Sequence, residues 1–334
     1  MTTIEITKKL SADETSQAAE LLLQGKIVAF PTETVYGLGA CIFLPEAIKK
    51  IFLAKGRPAD NPLIAHVSNF SQIEEITQNI PNDFLPLYNA FFPGPLSIVL
   101  EKAEKVPSIV SGGINTIAFR MPNHPIALAI IEKVGQPIVA PSANISGKPS
   151  STQFSHVLDD FDGKIGAIVE GSSSEIGIES TVISLINNTP IILRPGHITK
   201  EAIEAVLNKK VALTNNDKLS NSPVSSPGMK YRHYAPNAPT KLFFSKKELV
   251  NYLNSNPNPS RLLLSPSPLS EAKGCNHFPL SPKTLYAGLR KADSDGFSEV
   301  LILCNDSIAN DQALMNRLFR ATEEAPFPLY NRAY

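Results

Sequence analysis

The residues best suited to chemistry here are three arginines. The first 212 positions hold fourteen lysines but only Arg57, Arg120 and Arg194, each beside a proline in KGRP, FRMP and LRPG. A planar guanidinium donates two parallel hydrogen bonds to a carboxylate or phosphate, which a lysine ammonium cannot do. Three such forks on proline-stiffened turns point to a substrate with more than one anionic group. The alternative for each is a structural arginine that bonds loop carbonyls.

Two further stretches follow apolar runs of strand character. Pro31-Thr-Glu-Thr-Val-Tyr-Gly-Leu-Gly39 alternates hydroxyls at Thr32 and Thr34 with Val35, then places two glycines that free the backbone for close approach to a ligand. A plain glycine turn reads the same way from spacing alone. Pro141-Ser-Ala-Asn-Ile-Ser-Gly147 puts Ser142 and Asn144 two apart, on one side of an extended chain, where small polar groups reach phosphate or ribose. An Asx or Ser turn is the competing reading.

The common nucleotide signatures are missing: there is no G-x-x-x-x-G-K-[ST], and Gly37-Leu-Gly39 does not extend to G-x-G-x-x-G. The six histidines form no H-E-x-x-H, so a divalent ion is expected only with substrate phosphates. His66, within LIAHV, reads either as a half-buried, hydrogen-bonded residue or as part of a site. Ser226-Pro-Gly-Met-Lys-Tyr-Arg-His-Tyr-Ala-Pro236 interleaves basic and aromatic groups, which suits stacking on a base beside a phosphate, or stapling two domains together.

The elements that must position these groups are marked by capping and proline signals. Ser11-Ala-Asp-Glu14 reads as a capping box before a helix that stops at Gly25. Further helices are expected at 45–54, 81–92, 124–134 and 200–207. Strands are expected at 27–30, 63–67, 96–100, 116–120, 138–140, 167–170, 181–185 and 191–193. Several neighbouring strands are joined too tightly for helical crossovers, so the sheet is expected to be mixed and twisted. After residue 240 the pattern is β-α-β-α-β-α, a small parallel domain. The expected division is 1–212 for the larger domain, 213–239 for a polar linker, and 240–334 for the small α/β domain.

Thirty-one basic residues balance thirty-one acidic ones among 334, with 43% hydrophobic and 19% charged residues. That balance excludes a strongly basic nucleic-acid binder and a disordered chain. Cys41, Cys275 and Cys304 form no C-x-x-C, which leaves no cysteine zinc site or disulfide framework. No stretch reads as a signal peptide or membrane span, and a cytoplasmic location is expected.

In order, PTETVYGLGA, KGRPADNPLIAHV, FPGPLSIVL, FRMP, APSANISG, ESTVI, LRPG and SPGMKYRHYAP resemble the threonylcarbamoyl-adenylate synthase family in its long form. The resemblance is dense over residues 15–240 and thinner through LYAGLRKAD and MNRLFRA. It implies a YrdC-like twisted mixed sheet with packed helices, joined to a smaller Rossmann-like parallel α/β domain. The implied activity is a nucleotidyltransferase that converts L-threonine, bicarbonate and ATP into threonylcarbamoyl-AMP and diphosphate, for threonylcarbamoyladenosine modification of tRNA.

By motif, Lys55, Arg57, Ser142 and Asn144 resemble the family's catalytic polar cluster at the nucleotide phosphates. Thr116, Ser150, Arg194 and Tyr234 resemble further ATP contacts, together with Asn61, where some members carry lysine. Thr34, His66, Arg120, Ala140 and Ser180 resemble the threonine pocket, with Arg120 facing the amino-acid carboxylate. Tyr231 and Tyr234 would lie in the linker as a lid. Mg2+ would arrive with ATP, and tRNA and a downstream threonylcarbamoyl-transferase are the further partners implied. Two other readings are a non-catalytic RNA-binding module and a carbamoyl-transfer domain like that of hydrogenase maturation proteins; the scarcity of cysteines speaks against the second.

Overall fold

Helix ends fall where capping residues put them. Helix α1 (Thr15–Leu23) stops before Gly25, whose φ is +74°. Helix α2 (Pro45–Lys55) begins on its proline and ends at Gly56, φ 61°. After α3 (Phe70–Ile76), α4 (Phe84–Phe91) and α5 (Ser108–Ser111), helix α6 (Pro125–Val134) repeats that pattern with Gly135 at φ 73°. Helix α7 (Phe154–Phe161) precedes α8 (Lys200–Leu207), whose cap Thr199 accepts a hydrogen bond from the Ala202 amide. The capping box forms by half: Glu14 Oε2 accepts from the Ser11 amide at 2.7 Å, but the Ser11 hydroxyl turns to the same carboxylate. The helix therefore starts only at Thr15.

The structure, a computed structural model, describes residues 6–187, 189–214 and 234–322. It divides into two compact units. One holds the described residues of Met1–Ser146 and Ser150–Tyr231, the other those of Gly147–Pro149 and Arg232–Tyr334. Most of the expected linker, Tyr231 included, lies outside the described residues.

Among its described residues the first unit has eleven strands. They are β1 (Lys8–Leu10), β2 (Val28–Phe30), β3 (Gly37–Cys41), β4 (Ile64–His66), β5 (Leu96–Glu101), β6 (Thr116–Arg120), β7 (Ile138–Val139), β8 (Ala167–Val169), β9 (Thr181–Ser184), β10 (Ile191–Arg194) and β11 (Ala212–Leu213). They form one mixed sheet in the order β1-β8-β2-β3-β7-β4-β6-β5-β9-β10-β11. On it α1 and α6 bury Leu22, Ile130 and Ile131 against Val28 and Val169. A larger core joins Ile48 and Phe52 of α2 with Phe84 of α4, Phe119 of β6 and Ile183 of β9.

Three pairings position the site. Strands β4 and β6 run parallel with His66 opposite Arg120, so both side chains leave the same face at the same level. Strands β2 and β3 form a hairpin whose turn is Pro31–Tyr36. The pairing of β3 with β7 continues past the end of β7 as a bridge between Gly37 of β3 and Ser142. The glycines expected to free a ligand loop instead lie in β3, where a Cβ at Gly39 would sit 2.7 Å from the Phe30 ring.

The second unit is a parallel sheet, β12 (Thr240–Phe243), β15 (Glu299–Leu303), β13 (Arg261–Ser265) and β14 (Asn276–Pro279) in that order. Helices α9 (Lys246–Ser255), α10 (Leu285–Ser294), α11 (Asp306–Ala309) and α12 (Gln312–Ala321) accompany it. The mixed α/β class with a second, parallel sheet is thus as expected, although β1, β3, β11, β14, α3, α5, α7 and α11 were not anticipated.

Candidate functional site

Arg120 closes β6 at 4% exposure, and its guanidinium is shared among three partners. Nε donates to His66 Nε2 at 3.0 Å, Nη1 to Glu33 Oε1 at 3.1 Å and Nη2 to Thr32 Oγ1 at 2.9 Å. Burial pulls the Arg120 pKa down, while the charges of Glu33 and Glu179 push it back up. His66 Nδ1 donates to the Ile64 carbonyl at 3.3 Å, which fixes the tautomer with Nε2 as acceptor. Burial first, then the Arg120 charge, holds the imidazole pKa well below 6.5. His66 is therefore a neutral prop for the guanidinium.

The Pro31–Tyr36 turn is locked by its own hydroxyls. Thr32 Oγ1 donates to the Val35 carbonyl at 2.6 Å and pairs with Thr34 Oγ1 at 2.9 Å. The segment after β8 closes over this turn through the Ile176 amide on the Glu33 carbonyl and the Gly177 amide on the Thr34 carbonyl. Ala140, just past β7, donates its amide to the Ile64 carbonyl and reaches within 3.2 Å of where a Cβ on Gly37 would lie. Thr34, His66, Arg120 and Ala140 are thus brought together.

Ser180 and Arg194 meet at the ends of β9 and β10. Arg194 Nε and Nη2 both donate to the Ser180 carbonyl, at 3.2 and 3.0 Å, and Nη2 also reaches the Ser180 hydroxyl. Ser180 Oγ pairs with Ser97 Oγ of β5 at 2.8 Å. Next to it Glu179 accepts from Ser150 Oγ at 2.6 Å, and its charge also acts on Arg120. Ser150 thus holds a carboxylate whose charge is felt at Arg120.

The third group lies around the PSANISG loop. Lys55, 2% exposed at the end of α2, donates to the Ser142 and Asn144 carbonyls at 2.6 and 2.5 Å. Ser142 Oγ donates to Asn144 Oδ1 at 2.5 Å, and Ser151 Oγ ties the loop at the Ala143 carbonyl. A buried ammonium behind a loop of small polar groups creates a positive field that attracts anions. Arg57 Nη2 donates to the Pro62 carbonyl at 3.0 Å and leans on the Asn61 carbonyl at 3.5 Å, so it stiffens the entry into β4.

Thr116 and Tyr234 make up the rest of the expected set. Thr116 opens β6, four residues before Arg120, which is about 13 Å along an extended strand. Tyr234 belongs to the second unit, where it adopts φ 71° and packs on Tyr286 with ring centroids 5.2 Å apart. Among the described residues no group of three or more His, Cys, Asp or Glu is placed to hold a metal ion. Glu33, Ser97 and Glu179 complete the cluster without having been singled out, while Thr32 was named only as a hydroxyl of the candidate loop. The only signal for Glu33 was an acid set between two threonines ahead of a strand.

A mixed-sheet α/β unit with a buried guanidinium, an ammonium-backed polar loop and a separate parallel α/β unit defines the class, and comparison with known proteins narrows it. A family model for Sua5, YciO and YrdC proteins, described as "Telomere recombination", matches residues 20–196. A second, "Threonylcarbamoyl-AMP synthase, C-terminal domain", matches residues 198–322. The chain is 47% identical over 253 residues to a threonylcarbamoyl-AMP synthase of Bacillus subtilis, covering 75% of this chain and 73% of the relative. It is 36% identical over 343 residues to the Schizosaccharomyces pombe protein of that name, covering 88% and 84%. The crystal structure of Pyrococcus abyssi Sua5 in complex with L-threonine matches with a TM-score of 0.86 and 40% identity, over 95% of this chain and 98% of that one. The chain belongs to the threonylcarbamoyl-AMP synthase family.

Proposed function

We propose that the protein is an L-threonylcarbamoyladenylate synthase, which joins L-threonine, bicarbonate and ATP into threonylcarbamoyl-AMP and releases diphosphate. The observation that carries this reading is Arg120. Three of its five N–H groups are spent on His66, Glu33 and Thr32, leaving one hydrogen on Nη1 and one on Nη2 for a carboxylate. Arg120, His66, Thr34, Ala140 and Ser180 make up the threonine pocket on this reading. Lys55, Arg57, Ser142 and Asn144 serve the nucleotide phosphates, with Asn61, Thr116, Ser150, Arg194 and Tyr234 as further ATP contacts. On this reading the two substrates lie side by side, since Ala140 and Ser142 flank one proline.

The chemistry requires positioning more than a protein nucleophile. Threonine nitrogen captures bicarbonate to form a carbamate, whose carboxylate attacks the α-phosphorus as diphosphate leaves. Aligning two anions and stabilising charge at phosphorus are entropic and electrostatic tasks, suited to fixed cations and amide donors. Mg2+ enters coordinated by the triphosphate of the nucleotide substrate. The labile product passes to a downstream threonylcarbamoyl-transferase that acts on tRNA. Among the described residues no helix is long and apolar enough to cross a membrane.

Diphosphate release from ATP tests the proposal. It is expected only when threonine and bicarbonate are both supplied, and release indifferent to threonine refutes the assignment.

A further inference from the structure

Glu33 sits in the turn between β2 and β3 and is 4% exposed. Its Oε1 accepts from Arg120 Nη1, whereas Oε2 is buried with no hydrogen-bond partner. A buried carboxylate oxygen left without a donor is costly, and native structures rarely keep one without use. If Glu33 only neutralised Arg120, the guanidinium fork would grip both oxygens, as bidentate pairs do. Instead Nη2 turns to Thr32 and Nε to His66. The arrangement holds an unused carboxylate oxygen next to two unused guanidinium hydrogens. A zwitterionic α-amino acid carries the complementary pair, a carboxylate and an ammonium on the same carbon.

Resting on the synthase activity proposed above, the geometry points to Glu33 Oε2 as the group that receives the α-ammonium of threonine and accepts the proton this nitrogen loses. The ammonium has no lone pair, so it must release a proton before it can attack. In the balanced step R–NH3+ and HCO3− give R–NH–COO−, H2O and one proton: the N–C bond forms, a C–O bond of bicarbonate breaks, oxygen leaves as water, and the proton goes to Glu33 Oε2. Arg120 holds the substrate carboxylate meanwhile and keeps Glu33 oriented. The charged and titratable groups around this pair are His66 from β4, His124 ahead of α6, which is under the influence of Glu33 and Glu175, and Glu179, which acts on Arg120. His66 already has Nε2 engaged by Arg120 and cannot take the proton in this arrangement.

The test compares full-length wild type with Glu33→Gln from pH 6.5 to 9.5, following diphosphate release at saturating ATP and bicarbonate. At pH 7 the variant is expected to lose about 100-fold or more in kcat/KM for threonine. The deficit should shrink about tenfold per pH unit as free amine becomes available in solution. A deficit that stays constant with pH overturns the proposal and leaves Glu33 as a mere counter-ion. A second arm needs only the wild type. It uses 2,3-dihydroxybutanoate, threonine with a hydroxyl in place of the ammonium, as a competitor. Binding at least tenfold weaker than that of L-threonine supports an ammonium site, and equal binding overturns it. Wild type that releases diphosphate without regard to threonine refutes the synthase reading instead, and this inference falls with it.

Discussion

Arg120 carries two duties that substitutions can separate. It neutralises a buried carboxylate and presents a planar fork. In Arg120→Ala the Glu33 charge stays buried without its cation, which costs about 3–5 kcal/mol of stability. In Arg120→Lys the charge survives, but one nitrogen cannot reproduce donors aimed at three separate acceptors. The lysine variant is expected to keep most of the stability yet raise KM for threonine by roughly 10–150-fold, the equivalent of losing a charge-assisted bond of about 1.5–3 kcal/mol. Denaturant unfolding and threonine titration read the two effects independently. An alanine variant as stable as wild type contradicts the first, and a lysine variant with unchanged KM contradicts the second. Arg194 and Arg57 differ in kind, since their described bonds go to the Ser180 and Pro62 carbonyls.

At the scale of elements, the site depends on segments pressed closer than side chains allow. Gly196, in the LRPG turn after β10, lies where a Cβ would meet the Thr181 amide nitrogen at 2.3 Å and the Ser180 carbonyl carbon at 2.6 Å. That contact is what lets Arg194, two residues earlier, grip Ser180. Gly196→Ala is expected to cost about 3 kcal/mol, the upper end of overpacking, because backbone cannot swing aside. Gly25→Ala is a control for conformation alone: it meets nothing within 4 Å but must adopt φ +74°, so about 1–2 kcal/mol is expected. Thermal unfolding of the two variants ranks the effects, and equal losses would contradict the packing argument. The same contrast explains what was legible in the sequence. Helix α8 is read to the residue because Thr199 caps it, and β6 because its five apolar-rich residues end at Arg120. Strand β3 hides behind its glycines, whose fit against Phe30 is a tertiary fact. Strand β14, Asn-His-Phe-Pro, has too few apolar groups to show a period. Helix α7 has Gln153 at its N-cap position and no side-chain cap. Motif order marked Arg120 and His66, but their pairing with Glu33 needed the β4–β6 register and the hairpin turn.

For the molecule as a whole, the feature that shapes pH behaviour is a cluster of charge sealed within the larger unit. His66 is fully buried and neutral, with its pKa depressed first by burial and then by Arg120, and His124 is depressed by burial as well. In the unfolded chain both titrate near 6.5, so below that pH the unfolded state binds protons that the folded state refuses. Stability is then full above about pH 6.5 and declines as pH falls towards the depressed folded values. The slope approaches about 1.4 kcal/mol per pH unit for each proton excluded. The acidic groups with lowered pKa at the surface, such as Glu14, Asp295 and Glu271 at about 2, act only below the ordinary carboxylate range and leave this window to the histidines. Denaturant midpoints for the larger unit should therefore drop between pH 7 and pH 5. His66→Gln, whose amide oxygen can still accept from Arg120 Nε, should flatten the drop. A midpoint level across that range, or an unchanged slope in the variant, would show that the imidazole takes up its proton without breaking the Arg120 cluster.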